Sequence, residues 1–187
     1  MAYATITDLT VYLGIDESTA DDGLLLQLLT RAQAAIDSMC NRTFEVSADT
    51  VRYYDWRAVN GYMLHLDADL CAITSVVNGD GVTIAGTEYT TEPRNVTPWH
   101  ALRMRSASIH AWDGITGDIA ITGKWAYSAT APAPVQHATV RLAAWMYRQK
   151  DNTGNDAPII AGDVTILPTR IPSDVEAMLA PYMRRYV

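Results

Sequence analysis

The first third of the chain carries the hydrophobic spacing of an amphipathic helix between residues 22 and 44. Apolar residues recur every three or four positions and form one stripe: Leu25, Leu28, Leu29, Ala32, Ile36 and Met39. Asp21 and Asp22 precede the stripe, where carboxylates favour the positive end of a helix dipole. Asn41 follows it as a left-handed stop. The pattern predicts a helix that packs one face against the rest of the protein.

A shorter helix is predicted nearer the N-terminus. Thr7 is a suitable N-cap for a helix that ends at Leu13, and Gly14 is a suitable stop. Leu9, Tyr12 and Leu13 are then expected to face inward.

From residue 51 the period changes from helical to alternating. Five segments have the composition of strands: 51–56, 62–66, 73–77, 101–105 and 118–125. The sequence Asn78-Gly79-Asp80-Gly81 predicts a tight hairpin turn that requires positive φ. Pro93 and Pro98 disfavour central-strand positions nearby. The middle of the chain is therefore predicted to be a mostly antiparallel module of about 80 residues.

Helical spacing returns in the last third. Pro132 and Pro134 suit a helix entrance, and Ser173 with Glu176 has the spacing of a capping box that opens a last helix. Pro181 should kink or shorten that helix. The helix that opens near Pro132 and Pro134 has this apolar face: Val135, Ala138, Leu142, Trp145 and Met146.

Residues 158–168 are apolar but follow neither period. Such a segment must bury itself against something, and a neighbouring subunit is one candidate. We therefore predict a subunit-interface arm whose contacts come from these side chains: Ile159, Ile160, Val164, Ile166 and Leu167.

Together these patterns predict an α+β fold, in which N- and C-terminal helices form a bundle-like core around a mostly antiparallel β-rich insertion. The predicted division assigns 1–50 to the N-terminal helical part, 51–130 to the insertion and 131–187 to the C-terminal helical part, with an extended arm at 151–170. The predicted helical core consists of Leu25, Leu29, Ile36, Leu142, Trp145 and Met146.

Charge limits the function classes that fit the chain. Its 187 residues carry a net charge of −7, and residues 1–50 hold eight acids against two bases. Tight nucleic-acid binding needs clustered cations, so we expect only loose contact with DNA. The sequence has no evident secretory signal or membrane span, and Cys40 and Cys71 are expected to be free thiols in a reducing cytoplasm.

No set of polar residues indicates an active site. The four histidines lack metal-ligand spacing, and no phosphate loop or nucleophile elbow is present, so neither catalysis nor a cofactor is expected. Asp67 and Asp69 would share a strand face and could bind a hard cation, or form a solvated strand end. The aromatic residues of the β module could form a stacking platform, although packing is their commoner role.

The order of several motifs resembles a known family. A Leu-rich helix ends in Asn41-Arg42-Thr43-Phe44, and the β-rich middle ends near Gly123-Lys124-Trp125-Ala126-Tyr127. A helix opens at Pro132, and Ile171-Pro172-Ser173 leads to the last one. This order is similar to that of head–tail connector (adaptor, or head-completion) proteins of long-tailed bacteriophages and prophages. Ala126 stands where many members have glycine.

The resemblance implies a structural protein without catalysis or cofactor. Family members form a ring, commonly twelve-fold, under the phage portal protein, where it extends the DNA channel and offers a docking platform to the next head-completion or tail protein. The expected location is the virion neck, after assembly in the bacterial cytoplasm. The resemblance also implies that Arg184, Arg185 and Tyr186 face the portal; favourable charge at a helix C-terminus is the alternative for the two arginines.

Two other function classes remain open on the sequence alone. A ligand- or carbohydrate-binding β module with helical flanks would require exposed, coplanar Trp56, Trp99 or Trp112. A small hydrolase would require convergent carboxylates in a cleft.

Overall fold

The computed structural model describes residues 3–16, 21–149, 159–161, 164–166 and 171–184. Its contacts divide the chain into two compact units. Arg42–Ala131 form one unit, here called the sheet unit; Ala2–Asn41 and Pro132–Val187 form the other, the helical unit. The predicted α+β class is confirmed, whereas the predicted boundaries at 50 and 130 stay a prediction.

The described residues of the helical unit include four α-helices: α1 (Ile6–Leu13), α2 (Asp22–Cys40), α3 (Ala133–Gln149) and α4 (Ser173–Leu179), the last continuing as a 3₁₀ turn, Ala180–Tyr182. Helix α3 packs against the other three. The stripe on α2 is buried as predicted, except that Met39 is half-buried and Cys40 is buried in its place. Asn41 adopts the left-handed conformation predicted for the stop, with φ 50°.

The buried face of α3 differs only in part from the predicted one. Val135, Ala138 and Leu142 are buried as predicted, but Trp145 and Met146 are half-buried, whereas Ala143 and Ala144 are fully buried. Small side chains at a helix contact allow close approach of the neighbouring helix, so the alanines take the inner positions. The prediction was therefore wrong at the C-terminal end of this face.

Two helix starts also differ from prediction. Thr5, not Thr7, caps α1: its hydroxyl accepts a hydrogen bond from the Asp8 N–H, and the Asp8 carboxylate accepts one from the Thr5 N–H. Ser173 is the first residue of α4 and forms no cap, because Pro172 occupies the N-cap position. Pro181 shortens α4 as expected, since the helix tightens into the 3₁₀ turn at Ala180.

The sheet unit contains seven strands: β1 (Thr50–Tyr54), β2 (Val59–Asn60), β3 (Met63–Leu70), β4 (Ala72–Val77), β5 (Tyr89–Glu92), β6 (Trp99–Met104) and β7 (Ile119–Lys124). They form a three-stranded sheet of order β1-β7-β4 and a four-stranded sheet of order β2-β3-β6-β5. Every pairing is antiparallel, as predicted. The core of the unit is built on Leu64, Leu70, Leu102, Ile119 and Ile121.

The predicted turn after β4 is present, but its glycines act differently. Only Gly81 has positive φ, 83°. Gly79 instead lies so close to the backbone of residues 113 and 117 that a Cβ there would fall about 2.1 Å from the Asp113 carbonyl oxygen. Asn78 is buried and its amide bridges this loop, because its Nδ2 donates to the Ala111 carbonyl and its Oδ1 accepts from the Asp113 N–H. The turn therefore anchors a long loop.

Candidate interaction surfaces

The predicted arm contains a short hairpin. Strands β8 (Ile159–Ala161) and β9 (Val164–Ile166) pair antiparallel, with Ile159 opposite Ile166 and Ala161 opposite Val164. Strands of three residues are too short for an alternating pattern to emerge from sequence. Leu167 lies outside the described residues. A two-stranded sheet alone is marginally stable. That the arm contacts a neighbouring subunit stays a prediction.

The predicted portal-facing end is described only in part. Arg184 is half-buried, and its backbone N–H donates to the carbonyl of Cys40, the last residue of α2, at 2.9 Å. This bond satisfies one of the carbonyls that a helix C-terminus leaves open. Arg185 and Tyr186 lie outside the described residues. Which partner this end meets stays a prediction.

Asp67 and Asp69 do not form a cation site. A register shift in β3 between His65 and Leu70 leaves Asp67 exposed and buries Asp69. Asp67 accepts hydrogen bonds from the Tyr54 hydroxyl at 2.6 Å and from Arg52 Nη1 at 3.0 Å. Asp69 pairs with Arg42, at 3.5 Å from its Nη1. Each carboxylate faces its own arginine, so the two do not act together as a metal ligand set; Asp67 is solvated as the alternative predicted, whereas Asp69 is not.

These contacts shift two ionisations. Partial burial favours the protonated form of Asp67, but the hydrogen bond from Tyr54 and the charge of Arg52 outweigh it and hold its pKa below the ordinary value. Burial, together with the hydrogen bond to Asp67, raises the pKa of Tyr54. The charged carboxylate and neutral phenol are therefore the stable pair near neutral pH.

The tryptophans of the β module serve mainly in packing. Trp112 is 8% exposed and donates its Nε1–H to the Tyr62 carbonyl, while Trp99 is half-buried against the core of the sheet unit. Trp56 is 57% exposed, and the guanidinium of Arg57 lies 5.3 Å from its ring centroid. Among the tryptophans required for a stacking platform, only Trp56 is accessible. This arrangement gives a ligand-binding β module little support.

Within the described part of the chain, no three His, Cys, Asp or Glu side chains group closely enough to hold a metal ion. Neither Cys40 nor Cys71 is in a disulfide. A helix long and apolar enough to cross a membrane does not occur among the described residues.

A groove of about 380 Å³ runs between α1 and α3 in the helical unit. Val11 is 76% exposed beside it, and the ring of Tyr12 meets His137 edge-on at 6.1 Å between centroids. Tyr12 was predicted to face the core but is 37% exposed and lines this groove. The prediction of an inward-facing Tyr12 is therefore wrong.

A second groove, here called the arginine groove, lies on the four-stranded sheet. It combines two adjoining hollows of about 370 and 530 Å³ that share Thr90, Arg94 and Arg105, and Arg103 lines the larger of them. Sequence analysis missed it because the net charge of the chain is negative. The alternation in Ala101-Leu102-Arg103-Met104-Arg105 was the available signal, since it directs both arginines away from the buried Leu102 and Met104.

No protein-family model matches the sequence, and no curated protein is significantly similar to it. Solved structures do share its fold. A chain from the neck of an empty gene transfer agent (GTA) particle, computed with C6 symmetry, has a TM-score of 0.62 at 21% identity, covering 97% of this chain and 90% of that one. A chain from the virion of a native GTA particle has 0.62 at 20%, with the same coverage. One from the neck of a native GTA particle, computed with C12 symmetry, has 0.61 at 19%, covering 97% and 89%.

Proposed function

We propose that this protein is a head–tail connector, or adaptor, in the neck of a phage or phage-like particle. The observation that carries the proposal is the shared fold: 97% of this chain aligns with neck chains of GTA particles, and about nine-tenths of those chains is covered in return. The similarity includes both the helical and the sheet units. The order of sequence motifs supports the same role independently.

Copies of the protein form a ring in this proposal. The similar neck structures were computed with C6 and C12 symmetry, and a ring of twelve copies is compatible with both symmetries. Closed rings require two different complementary surfaces on each subunit. The arm at 151–170 supplies one of them, through Ile159, Ile160, Val164, Ile166 and Leu167.

The ring sits under the portal protein and extends the channel through which DNA leaves the head. Arg184, Arg185 and Tyr186 face the portal, and the opposite side of the ring offers a platform to the next head-completion or tail protein. The net charge of −7 suits such a conduit, because acidic walls disfavour adhesion of DNA phosphates. The protein assembles in the bacterial cytoplasm, and it needs neither catalysis nor a cofactor.

The arm gives the sharpest test of ring formation. Replacing Ile160 and Ile166 with Asp removes apolar surface from β8 and β9, so ring assembly on the portal should be lost while the subunit stays folded. Circular dichroism melts report the fold, and electron microscopy of portal complexes with particle-completion titres reports assembly.

A matched control changes two other isoleucines to Asp. Ile109 and Ile115 are 90% and 87% exposed in the sheet unit, so this variant adds the same charge outside the arm and should still assemble. Unfolding of the arm variant would show that its isoleucines belong to the core of the subunit. Normal assembly of a folded arm variant would remove the arm from the ring contact.

A further inference from the structure

The arginine groove is built by the register of β5 and β6. Thr90 lies opposite Arg103, and residues directly opposite in an antiparallel pair share a face. Leu102 and Met104 fill the core on the other face, so Arg103 must project outward. Arg105 follows one step beyond β6 and is exposed, and Arg94 is exposed two residues after β5 ends. The three guanidinium groups thus converge on one side of the sheet.

These charges are not neutralised within the described residues. The ion pairs there involve other arginines, and none joins Arg94, Arg103 or Arg105 to a carboxylate within 4.0 Å. The Glu88 carboxylate accepts a hydrogen bond from Ser108 and lies 3.8 Å from His110 Nε2. Glu92 shares the face of Thr90 and is the carboxylate that β5 itself contributes there. Glu88 also lies on this face, opposite Arg105, whose N–H donates to the Glu88 carbonyl, so three cations share the face with two carboxylates. The two hollows themselves are lined by the three arginines and by neither carboxylate, which leaves the groove positive in an acidic protein.

The groove also runs along an open strand edge. Strand β5 ends the four-stranded order, so its backbone pairs with β6 on one side only. On the outer side the Tyr89 carbonyl accepts a hydrogen bond from Arg105 Nε at 3.3 Å, a contact that an added strand would replace. Gly86, Tyr89, Thr90 and Thr91 line the smaller hollow beside Arg94 and Arg105. An unpaired edge presents backbone N–H and C=O groups that an extended peptide can pair with, and flanking side chains then select its sequence. Nucleic acid has no peptide backbone to pair with a strand edge, and the net charge of −7 on the protein repels its phosphates.

We infer that the arginine groove is a docking site for an acidic, extended segment of another protein. The segment adds a strand to β5 and places its carboxylates on Arg94, Arg103 and Arg105, whose planar guanidinium groups bind carboxylates in a bidentate manner. This site goes beyond the ring and portal contacts of the proposed function and does not depend on them.

The test uses a fluorescent peptide of alternating Glu and Thr, about six residues long like an ordinary strand, titrated with the full chain. We expect saturable binding that weakens with salt. R94E/R105E should lower the affinity about tenfold, because opposite charges across the contact become like charges. R31E/R148E changes the net charge equally at exposed sites of the helical unit and should bind as the wild type does. Melting curves of each variant verify the fold.

A second peptide isolates the backbone contribution. N-methylation at alternate residues blocks strand pairing but keeps every carboxylate, so its affinity should also fall about tenfold if the segment pairs with β5. Equal affinity of the methylated peptide, or no binding of the parent peptide, would overturn the proposal.

Two further outcomes would assign the groove to another occupant and overturn the proposal in the same way. The first is binding of duplex DNA that R94E/R105E removes. The second is self-association of the wild type that these substitutions remove. These assays use the isolated chain. A negative result would therefore overturn the docking site without overturning the proposed connector function, which particle assembly tests separately.

Discussion

The contacts of Asp67 and Asp69 could not be predicted from the sequence alone. Spacing placed Asp67 and Asp69 on one face, as an alternating strand requires, but the register shift inside β3 separates them. Bulges leave little trace in a sequence of alternating residues. The partners of the two carboxylates, Arg52 and Arg42, are 15 and 27 residues away along the chain, a distance over which no local pattern reports contact.

We predict that Asp67→Asn lowers the free energy of unfolding at neutral pH by about 1 kcal/mol, because two hydrogen bonds to an ionised but largely exposed group are weakened. The folded pKa of Asp67 is depressed, so its stabilising effect is present above the unfolded pKa of about 3.9 and is lost as the pH falls through the folded value. Chemical denaturation from neutral to acidic pH should show the two proteins converging.

The control for this substitution is Asp118→Asn. Asp118 is exposed at the start of the segment that leads into β7, and its replacement should change stability by less than about 0.5 kcal/mol. A gap between wild type and Asp67→Asn that widens on acidification would contradict the assigned contacts.

At the scale of elements, helix interiors were predictable and helix ends were less so. The stripe on α2 and its stop at Asn41 follow from spacing and from the left-handed tolerance of asparagine. The start of α1 was misplaced because Thr5 and Thr7 are both suitable caps. Only Thr5 stands three residues before Asp8, the spacing of a reciprocal capping pair, and that signal was available in the sequence.

These two threonines make a matched pair of variants. Thr5→Ala should lower the free energy of unfolding by about 1 kcal/mol, since it removes the side-chain cap of α1. It should also raise the pKa of Asp8, which the hydrogen bonds from Thr5 now depress. Thr7→Ala lies inside the helix and should change stability by less than about 0.5 kcal/mol. Thermal melts and NMR titration of Asp8 measure both effects; equal destabilisation by the two variants would place the cap elsewhere.

Five of the seven strands of the sheet unit overlap segments predicted from alternation, whereas β2 and β5 were not predicted. The ends of β4, β6 and β7 lie within about two residues of the predicted segments. Trp56 was assigned to a strand but lies in a 3₁₀ turn, because the Asp55 carboxylate accepts a hydrogen bond from the Arg57 N–H. The Arg57 N–H therefore bonds to a nearby side chain and not to the backbone of another strand. For this reason the β-like composition of the segment was misleading.

For the molecule as a whole, α+β class and antiparallel topology followed from the sequence because patterning largely decides fold class. The two surface grooves did not. The arginine groove needs the register of β5 against β6, which sequence analysis did not supply, and net charge concealed it. The groove of the helical unit needs the packing of α1 against α3, two segments distant in sequence.

We propose that this chain occupies the neck of a particle. Cryo-electron microscopy of particles from a host that expresses the protein tests this placement. We expect density for both units of the fold at the exit of the head, next to the portal, with twelve copies around the axis. Complete, tailed particles whose neck is fully accounted for by other proteins, with this polypeptide absent, would contradict it.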